Sequence, residues 1–248
     1  MKSILSFENV SKSYGDVLAI NNLSLNIYQG EKVALLGSNG AGKSSFLNMT
    51  CGLRQQDSGQ LKIFGMSPMA METKRRYRYL PQVLGFPENL KVKEVLNIVS
   101  SHFEKSEFSK LCEQLDLTKL LNRKTCQLSG GEKRKVGLIC SLLSNPEFVI
   151  LDEPTANIDV EGQQQIKKIL NEYLSKTERT LLFSSHLMNE VEDLADRIIV
   201  LKKGQIIAEG PTSEIKDKFG LKKIKFKAKS GLVFEQATKQ EDINGNYT

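Results

Sequence analysis

The chain has 248 residues, a formal net charge of +6, 40% hydrophobic residues and 26% charged residues, which is ordinary for one large α/β domain or two small ones. No apolar run approaches the length of a membrane span, and residues 1–3 lead into a strand-like segment rather than a signal peptide. These features exclude a membrane-spanning chain and predict one that stays in the cytosol. The moderate positive charge permits an acidic partner without requiring one.

The cysteines are scattered along the chain, without C-x-x-C spacing and without neighbouring histidines. This distribution predicts buried free thiols and argues against a zinc site. The four positions are Cys51, Cys112, Cys126 and Cys140.

The first third of the chain contains strand patterns separated by turns. Residues 4–10 alternate as in a strand, a turn follows at 13–15, and a second strand pattern covers 23–27. Further strands are predicted at 60–64 and at 76–80, the latter ending at Pro81 and Gln82.

A phosphate-binding loop is predicted between an apolar strand at 31–36 and a helix at 45–51. Residues 37–44 fit G-x-x-x-x-G-K-[ST], in which glycines let backbone N–H groups face phosphate oxygens at a helix N-terminus. Lys43 is expected to bridge the β- and γ-phosphates, and the Ser44 hydroxyl to bind Mg²⁺. A glycine-rich turn without a ligand is the alternative, and the strand–loop–helix context disfavours it. The candidate phosphate-binding residues are Gly37, Ser38, Asn39, Gly40, Ala41, Gly42, Lys43, Ser44 and Ser45.

Helical spacing replaces the strand pattern after residue 82, with helices predicted at 92–99, 108–117 and 132–143. We interpret residues 83–145 as a helical subdomain inserted into an α/β core. The loop at 83–90 contains Val83, Leu84 and Phe86, which are predicted to be exposed, with packing beneath the helices as the alternative.

The sequence Leu128-Ser129-Gly130-Gly131-Glu132 opens the last of these helices. It predicts a second helix N-terminus suited to a phosphate, because two glycines allow close approach. An ordinary helix cap is the alternative, although a cap does not require two glycines.

An apolar strand at 148–151 leads into Asp152 and Glu153. Asp152 is a candidate Mg²⁺ ligand opposite Ser44, and Glu153 a candidate proton acceptor for water attacking the γ-phosphate. A solvated surface acid is the alternative for Glu153. A helix at 160–175, a strand at 180–184 leading to His186, a helix at 189–195 and a hairpin at 198–208 are predicted to complete the core.

The tail from residue 221 is rich in lysine that partly alternates with apolar residues up to 229. This pattern favours an edge strand protected by lysines over a surface for anionic lipid. The polar end from about residue 239 is predicted to be frayed. His102 matches no motif and is predicted to lie on the surface.

These motifs, in this order, resemble the ATP-binding cassette (ABC) family over about residues 1–219. The resemblance implies an α/β fold: a P-loop NTPase core with an N-terminal antiparallel β subdomain and an inserted α-helical subdomain. Residues 220–248 are expected to form a short C-terminal extension. Residues 133–138 look like those of ABC-2, exporter-like cassettes.

The resemblance also implies roles for individual residues. Tyr14 would stack on adenine, Gln82 would contact Mg²⁺ and water, and Glu153 would be the catalytic glutamate. His186 would contact the γ-phosphate, and Asp159 would close a loop that contacts nucleotide across a dimer. In that loop the residue before Asp159 is isoleucine, where family members more often have leucine.

The implied protein is a Mg²⁺-dependent ATPase on the cytoplasmic face of a membrane. Its implied partners are a second ABC subunit, with a homodimer favoured over a heterodimer, and a membrane permease in a separate chain; nucleic acid is not expected. A soluble ABC-type ATPase acting on ribosomes or DNA stays open as the alternative, although the single cassette and the absence of sustained heptads disfavour it. The Leu128–Glu132 motif disfavours a GTPase or kinase.

Overall fold

The computed structural model describes residues 2–103, 108–175, 179–186, 188–218, 226–227 and 246–247. The chain divides into two compact units, Met1–Thr212 and Ser213–Thr248. The domain boundaries predicted from sequence stay predictions. Most of the lysine-rich tail lies outside the described residues; within it, Phe226–Lys227 pairs antiparallel with Asn246–Tyr247, part of the end that was predicted to be frayed.

A three-stranded antiparallel sheet forms one layer of the first unit, in the order β2-β1-β4. Its strands are β1 (Ser3–Tyr14), β2 (Val17–Tyr28) and β4 (Ser58–Ile63). The first two strands are longer than predicted because Tyr14 pairs with Val17 across a two-residue turn at 15–16. Gly15 has a positive φ of 55°, as such hairpin turns require.

A six-stranded sheet forms the second layer, in the order β5-β6-β7-β3-β8-β9. The strands are β3 (Lys32–Leu36), β5 (Tyr77–Leu80), β6 (Phe148–Asp152), β7 (Thr180–Ser184), β8 (Arg197–Lys202) and β9 (Gln205–Pro211). All neighbours pair in parallel except β8 and β9. Every residue of β6 and β7 is buried, as expected for central parallel strands covered on both faces. The two sheets confirm the predicted α/β fold with an antiparallel β layer.

Eight helices are described. They are α1 (Lys43–Thr50), α2 (Met71–Arg76), α3 (Val92–Ser100), α4 (Ser109–Gln114), α5 (Gly130–Leu142), α6 (Val160–Leu174), α7 (Met188–Leu194) and α8 (Thr212–Lys218). Sequence analysis missed α2, whose six mostly polar residues are too few to show an apolar period. Within the described ranges, no helix combines the length and apolar character needed to cross a membrane.

The thiol prediction was wrong for Cys126, which is exposed. Cys51 and Cys112 are buried free cysteines, and Cys140 is half-buried. Cys126 lies in a short 3-10 turn, Thr125–Gln127, directly before the start of α5. The flanking residues of the turn, Thr125 and Gln127, are polar, and the spacing of the cysteines carries no information on which of them lie on the surface.

The main core holds the phosphate-binding loop's helix between the two sheets. Phe46 of α1 stacks on Phe7 of β1, with ring centroids 4.5 Å apart and ring planes 8° from parallel. Both side chains are almost fully buried, in a cluster that includes residues of β2, β3, β4 and β6. The position of α1 is therefore fixed by apolar packing on both sides.

We expect Phe46→Ala to lower the free energy of unfolding by about 3–5 kcal/mol, because it removes a fully buried ring from this stack. The measurement is denaturant unfolding followed by circular dichroism. Val83→Ala is the control, since Val83 is 84% exposed and its truncation should change stability by less than about 0.5 kcal/mol. Equal losses for the two variants would contradict the packing described.

Candidate nucleotide site

One row of paired residues aligns the ends of three strands. Leu35 of β3 lies opposite Ser184 of β7, and Ser184 lies opposite Asp152 of β6. In parallel strands the carboxyl ends face the same edge of the sheet, which is where ligands of open α/β sheets bind. The predicted phosphate loop, the acidic pair and the segment before His186 therefore leave the sheet side by side.

The phosphate loop needs glycine at two positions because other backbone lies very close. A Cβ atom on Gly37 would lie 2.6 Å from the carbonyl oxygen of Leu201. A Cβ on Gly42 would lie 2.5 Å from the carbonyl oxygen of Ala19, and Gly42 has a positive φ of 108°. No larger residue fits either position without moving the loop.

Lys43 is 8% exposed, and its ammonium group is held over its own loop. Its Nζ donates to the carbonyl oxygens of Gly37 at 2.7 Å and Ser38 at 3.2 Å. Gly42 caps α1 without a side-chain hydrogen bond, so the first N–H groups of the helix are suited to an anion. The positive charge of Lys43 and the first N–H groups of α1 are therefore both available to an anion at the phosphate loop.

A cavity of about 490 Å³ joins this loop to the acidic pair. Its volume falls within the range of small-molecule sites. Tyr14, which is 40% exposed, stands at its rim with Val17 and Ala19. The other lining residues are Asn39, Gly40, Ala41, Gly42, Lys43, Ser44, Ser45, Gln82, Asp152 and Glu153.

Asp152 is almost fully buried, and its Oδ1 accepts a hydrogen bond of 2.5 Å from the Ser184 hydroxyl. Burial raises the pKa of Asp152 above its usual value, and the charge of Glu153 adds to that effect. A divalent cation would favour the ionised form and offset the cost of burying it. Ser44, Gln82 and Asp152 line the same cavity and offer hydroxyl, amide and carboxylate oxygens, the hard donors that Mg²⁺ prefers. This donor set fits the predicted metal.

Glu153 has a backbone conformation that is uncommon for a residue with a side chain, with φ at 51°. The Glu153 N–H donates to two oxygens of Ser184, the hydroxyl oxygen at 2.9 Å and the carbonyl oxygen at 3.2 Å. The Glu153 carboxylate accepts from Gln82 Nε2 at 3.2 Å and lies 3.6 Å from His186 Nδ1. The side chain is 15% exposed and that of His186 is 59% exposed. Gln82, Glu153 and His186, which the family resemblance assigns to one reaction, therefore lie in contact or close to it.

The Leu128–Glu132 motif forms a complete helix cap at the start of α5. The Ser129 hydroxyl accepts from the Glu132 N–H at 3.1 Å, and the Glu132 carboxylate accepts from the Ser129 N–H at 2.7 Å. A Cβ on Gly131 would lie 3.1 Å from the Asn157 carbonyl oxygen, so α5 starts tightly against the loop at 156–159. Ser129 and Glu132 form the helix cap, and Gly131 allows the helix start to lie against the Asn157 backbone. Capping therefore accounts for Ser129 and Glu132 but not for Gly131.

This motif faces a cavity different from that of the phosphate loop. Ser129, Gly130, Gly131 and Glu132 line a space of about 350 Å³ together with Asp159 and its neighbours, and none of these residues lines the loop's cavity. The Asp159 carboxylate caps α6 by accepting from the Gly162 N–H at 3.0 Å. Gly130 also lines a cavity of about 620 Å³ with Gln82, Glu153 and His186, so within one copy the motif lies next to the acidic end of the site but not in the cavity of the phosphate loop.

In the loop after Gln82, the prediction that all three apolar side chains are exposed was wrong for two of them. Val83 is exposed, whereas Leu84 and Phe86 are half-buried. A Cβ on Gly137 of α5 would lie 2.8 Å from Leu84, which shows that Leu84 packs closely on that helix. His102 is exposed as predicted, with Nδ1 2.7 Å from the Ile98 carbonyl oxygen.

Two residues of the site escaped sequence analysis. Ser184 ends an apolar strand, and only the strand register reveals that it contacts both Asp152 and Glu153. Sequence analysis gives Arg134 no role of its own within the exporter-like stretch 133–138, yet Arg134 is buried beneath the site.

Comparisons with known proteins agree with the motifs. The family described as ABC transporter matches residues 20–156. The Nod factor export ATP-binding protein I of Burkholderia orbicola (strain AU 1054) is 35% identical over 225 residues, covering 87% of this chain and 74% of that protein. The zinc import ATP-binding protein ZnuC of Rickettsia conorii is 32% identical over 216 residues, covering 86% of this chain and 89% of that protein.

A solved structure described as the ATP-binding subunit of an ABC transporter has the same fold. Its TM-score is 0.79 at 27% identity, and the match covers 88% of this chain and 94% of that chain. The export function named for the Burkholderia relative agrees with the exporter-like resemblance of residues 133–138. This chain belongs to the ABC transporter family, as one of its ATP-binding subunits.

Proposed function

We propose that the chain is a Mg²⁺-dependent ATPase that powers transport through a permease in a separate chain, from the cytoplasmic face of the membrane. The observation that carries this proposal is the single cavity that joins Lys43 to Asp152, Glu153 and Gln82. The residues of the predicted phosphate-binding loop, the candidate metal-binding oxygens and the candidate base all line this one cavity, and its volume suits a small-molecule ligand. This supports the proposal. The relatives that act in transport support the coupling to a permease.

The chemistry assigned to these residues is in-line attack of water on the γ-phosphate. The N-terminus of α1 and Lys43 bind the phosphates and stabilise negative charge on the transferring group. Ser44, Asp152 and Gln82 line one cavity and would hold Mg²⁺, which when bound would supply positive charge that neutralises the phosphates. Glu153 orients the water and accepts its proton, and His186, close to Glu153, contacts the γ-phosphate. Tyr14 stacks on the adenine.

We further propose that two copies of the chain pack head to tail around two ATP molecules. We call the Ser129–Gly131 segment and the phosphate loop the two half-sites. They line separate cavities of one copy, which supports a nucleotide enclosed between two copies. A second copy would supply the α5 N-terminus, and Asp159 would lie at the same contact. Since each copy has both half-sites, a homodimer completes two sites.

We expect Glu153→Gln to reduce ATP hydrolysis by about 10²–10⁴-fold, as the loss of a general base does. ATP binding should be retained, because the phosphate loop is unchanged. The measurements are phosphate release and ATP affinity in the presence of Mg²⁺, with EDTA abolishing the wild-type reaction. Glu161→Gln, at an exposed acid of α6, is the control and should retain full activity. Wild-type turnover by Glu153→Gln would contradict the role given to Glu153.

The same Glu153→Gln variant should form a stable dimer with ATP, because slow hydrolysis keeps both sites occupied. Size-exclusion chromatography with light scattering, with and without ATP, measures this. A monomer under both conditions would argue against self-pairing and favour a heterodimer or a dimer that requires the permease.

The loop at 83–90 is our candidate contact with the permease. It joins Gln82 to the helical segment, and Val83 is 84% exposed. Val83 and Leu84 line a cavity of about 620 Å³, and an apolar side chain at such an opening suits contact with a partner helix. We therefore expect Val83→Asp to reduce recovery of the subunit with membranes while ATP binding is unchanged.

Phe86→Asp tests the same loop where the side chain is half-buried. Weaker permease association with the fold retained would place Phe86 in the interface, and unfolding would place it in the core. Normal membrane recovery of both variants would move the interface elsewhere. Recovery of wild type with ribosomes or DNA rather than membranes would favour the soluble ATPase.

A further inference from the structure

Arg134 is a buried cation beneath the nucleotide site. It lies on α5, five residues after Ser129, and is 3% exposed. Its hydrogen bonds all go to main-chain carbonyl oxygens. The acceptors are Pro81 at 2.5 Å, Gln82 at 3.1 Å, Asp152, Glu153 at 2.6 Å and Pro154 at 3.4 Å.

These carbonyls come from two segments that are distant in sequence, residues 81–82 after β5 and residues 152–154 after β6. Burying a guanidinium is costly unless its N–H groups are satisfied. Burial lowers the pKa of Arg134, while the nearby Asp152 and Glu153 act to raise it. Because the planar guanidinium has five donors in a fixed fork, it can hold both segments at once, which the three donors of a lysine cannot do with the same geometry.

The two segments carry the side chains that meet in the site. Gln82 Nε2 donates to the Glu153 carboxylate at 3.2 Å. Glu153 keeps a positive φ of 51°, a conformation that persists only when its surroundings enforce it. Arg134 holds the carbonyl oxygen of Glu153, and Ser184 holds its N–H. The backbone of the candidate base is therefore fixed on both sides.

We propose that Arg134 is a positioning residue for ATP hydrolysis. From α5, the helix that the Leu128–Glu132 motif opens, it fixes the Gln82 and Glu153 segments relative to each other. The inference rests on the proposed function, since it concerns the base assigned there. Arg134 does not line the phosphate-loop cavity, but it lines the neighbouring cavity of about 620 Å³ with Gln82, Glu153 and His186. We therefore expect it to affect the rate of the chemical step and not the binding of ATP to the phosphate loop.

The test compares Arg134→Lys and Arg134→Gln with wild type by kcat, KM and the number of ATP molecules bound per chain. We expect kcat to fall on the order of 10²-fold, the scale of a small misplacement of a catalytic group, with KM and stoichiometry unchanged. In the Glu153→Gln background, Arg134→Lys should cause little further loss, because residues that act as a unit are not additive.

Arg179→Lys is the matched control. Arg179 is also buried, at 9% exposure, and donates to the Tyr173 carbonyl oxygen at 3.0 Å and to Asn145, outside both cavities. The Arg179→Lys variant should have a lower melting temperature and an unchanged kcat.

Three results would overturn the proposal. The first is an unchanged kcat in Arg134→Lys and Arg134→Gln. The second is a fall in kcat of the same size in the control variant Arg179→Lys. The third is loss of ATP binding by both Arg134 variants, which would make Arg134 a core residue only. A wild-type protein without ATPase activity would instead contradict the proposed function, so the two failures are distinguishable.

Discussion

The pairing of Ser184 with Asp152 is the contact on which the site depends. Strand register places Ser184 between β3 and β6, so its hydroxyl donates to the Asp152 carboxylate and accepts from the Glu153 N–H. A shift of one residue in β6 would turn its side chains to the opposite face of the sheet. The Asp152 side chain would then leave the cavity that Lys43 lines. The apolar packing of the fully buried strands β6 and β7 therefore fixes where Ser184, Asp152 and Glu153 lie relative to one another.

The buried helix α5 connects the two half-sites of one copy. Its first turn presents Ser129, Gly130 and Gly131 to one cavity, and Arg134, little more than a turn later, holds the backbone beneath the other. The same helix also lines, through Gly130 and Arg134, the cavity of Gln82, Glu153 and His186. In the proposed head-to-tail pair, its first turn would face the phosphate loop of the other copy.

Local motifs predicted much of the site, because a phosphate loop, an acid after an apolar strand and a helix cap are each written in consecutive residues. The closeness of Gln82, Glu153 and His186 followed from the family resemblance and from strand ends meeting at one edge. Contacts between segments distant in sequence could not be predicted in this way. Arg134 lies in a run of charges to which the sequence alone assigns no individual role, and the exposure of Cys126 and the partial burial of Leu84 depend on neighbours that the sequence pattern does not reveal.

The claim that two copies complete each site is tested most directly by cross-linking. Cys126 is exposed just before Ser129, and Asn39 is exposed on the phosphate loop. In the Glu153→Gln background, Asn39→Cys and a short bismaleimide should give a covalent dimer only with ATP, and replacing Cys126 with serine should abolish it. A cross-linked dimer that ignores ATP or survives Cys126→Ser, or the absence of any dimer, would contradict the account.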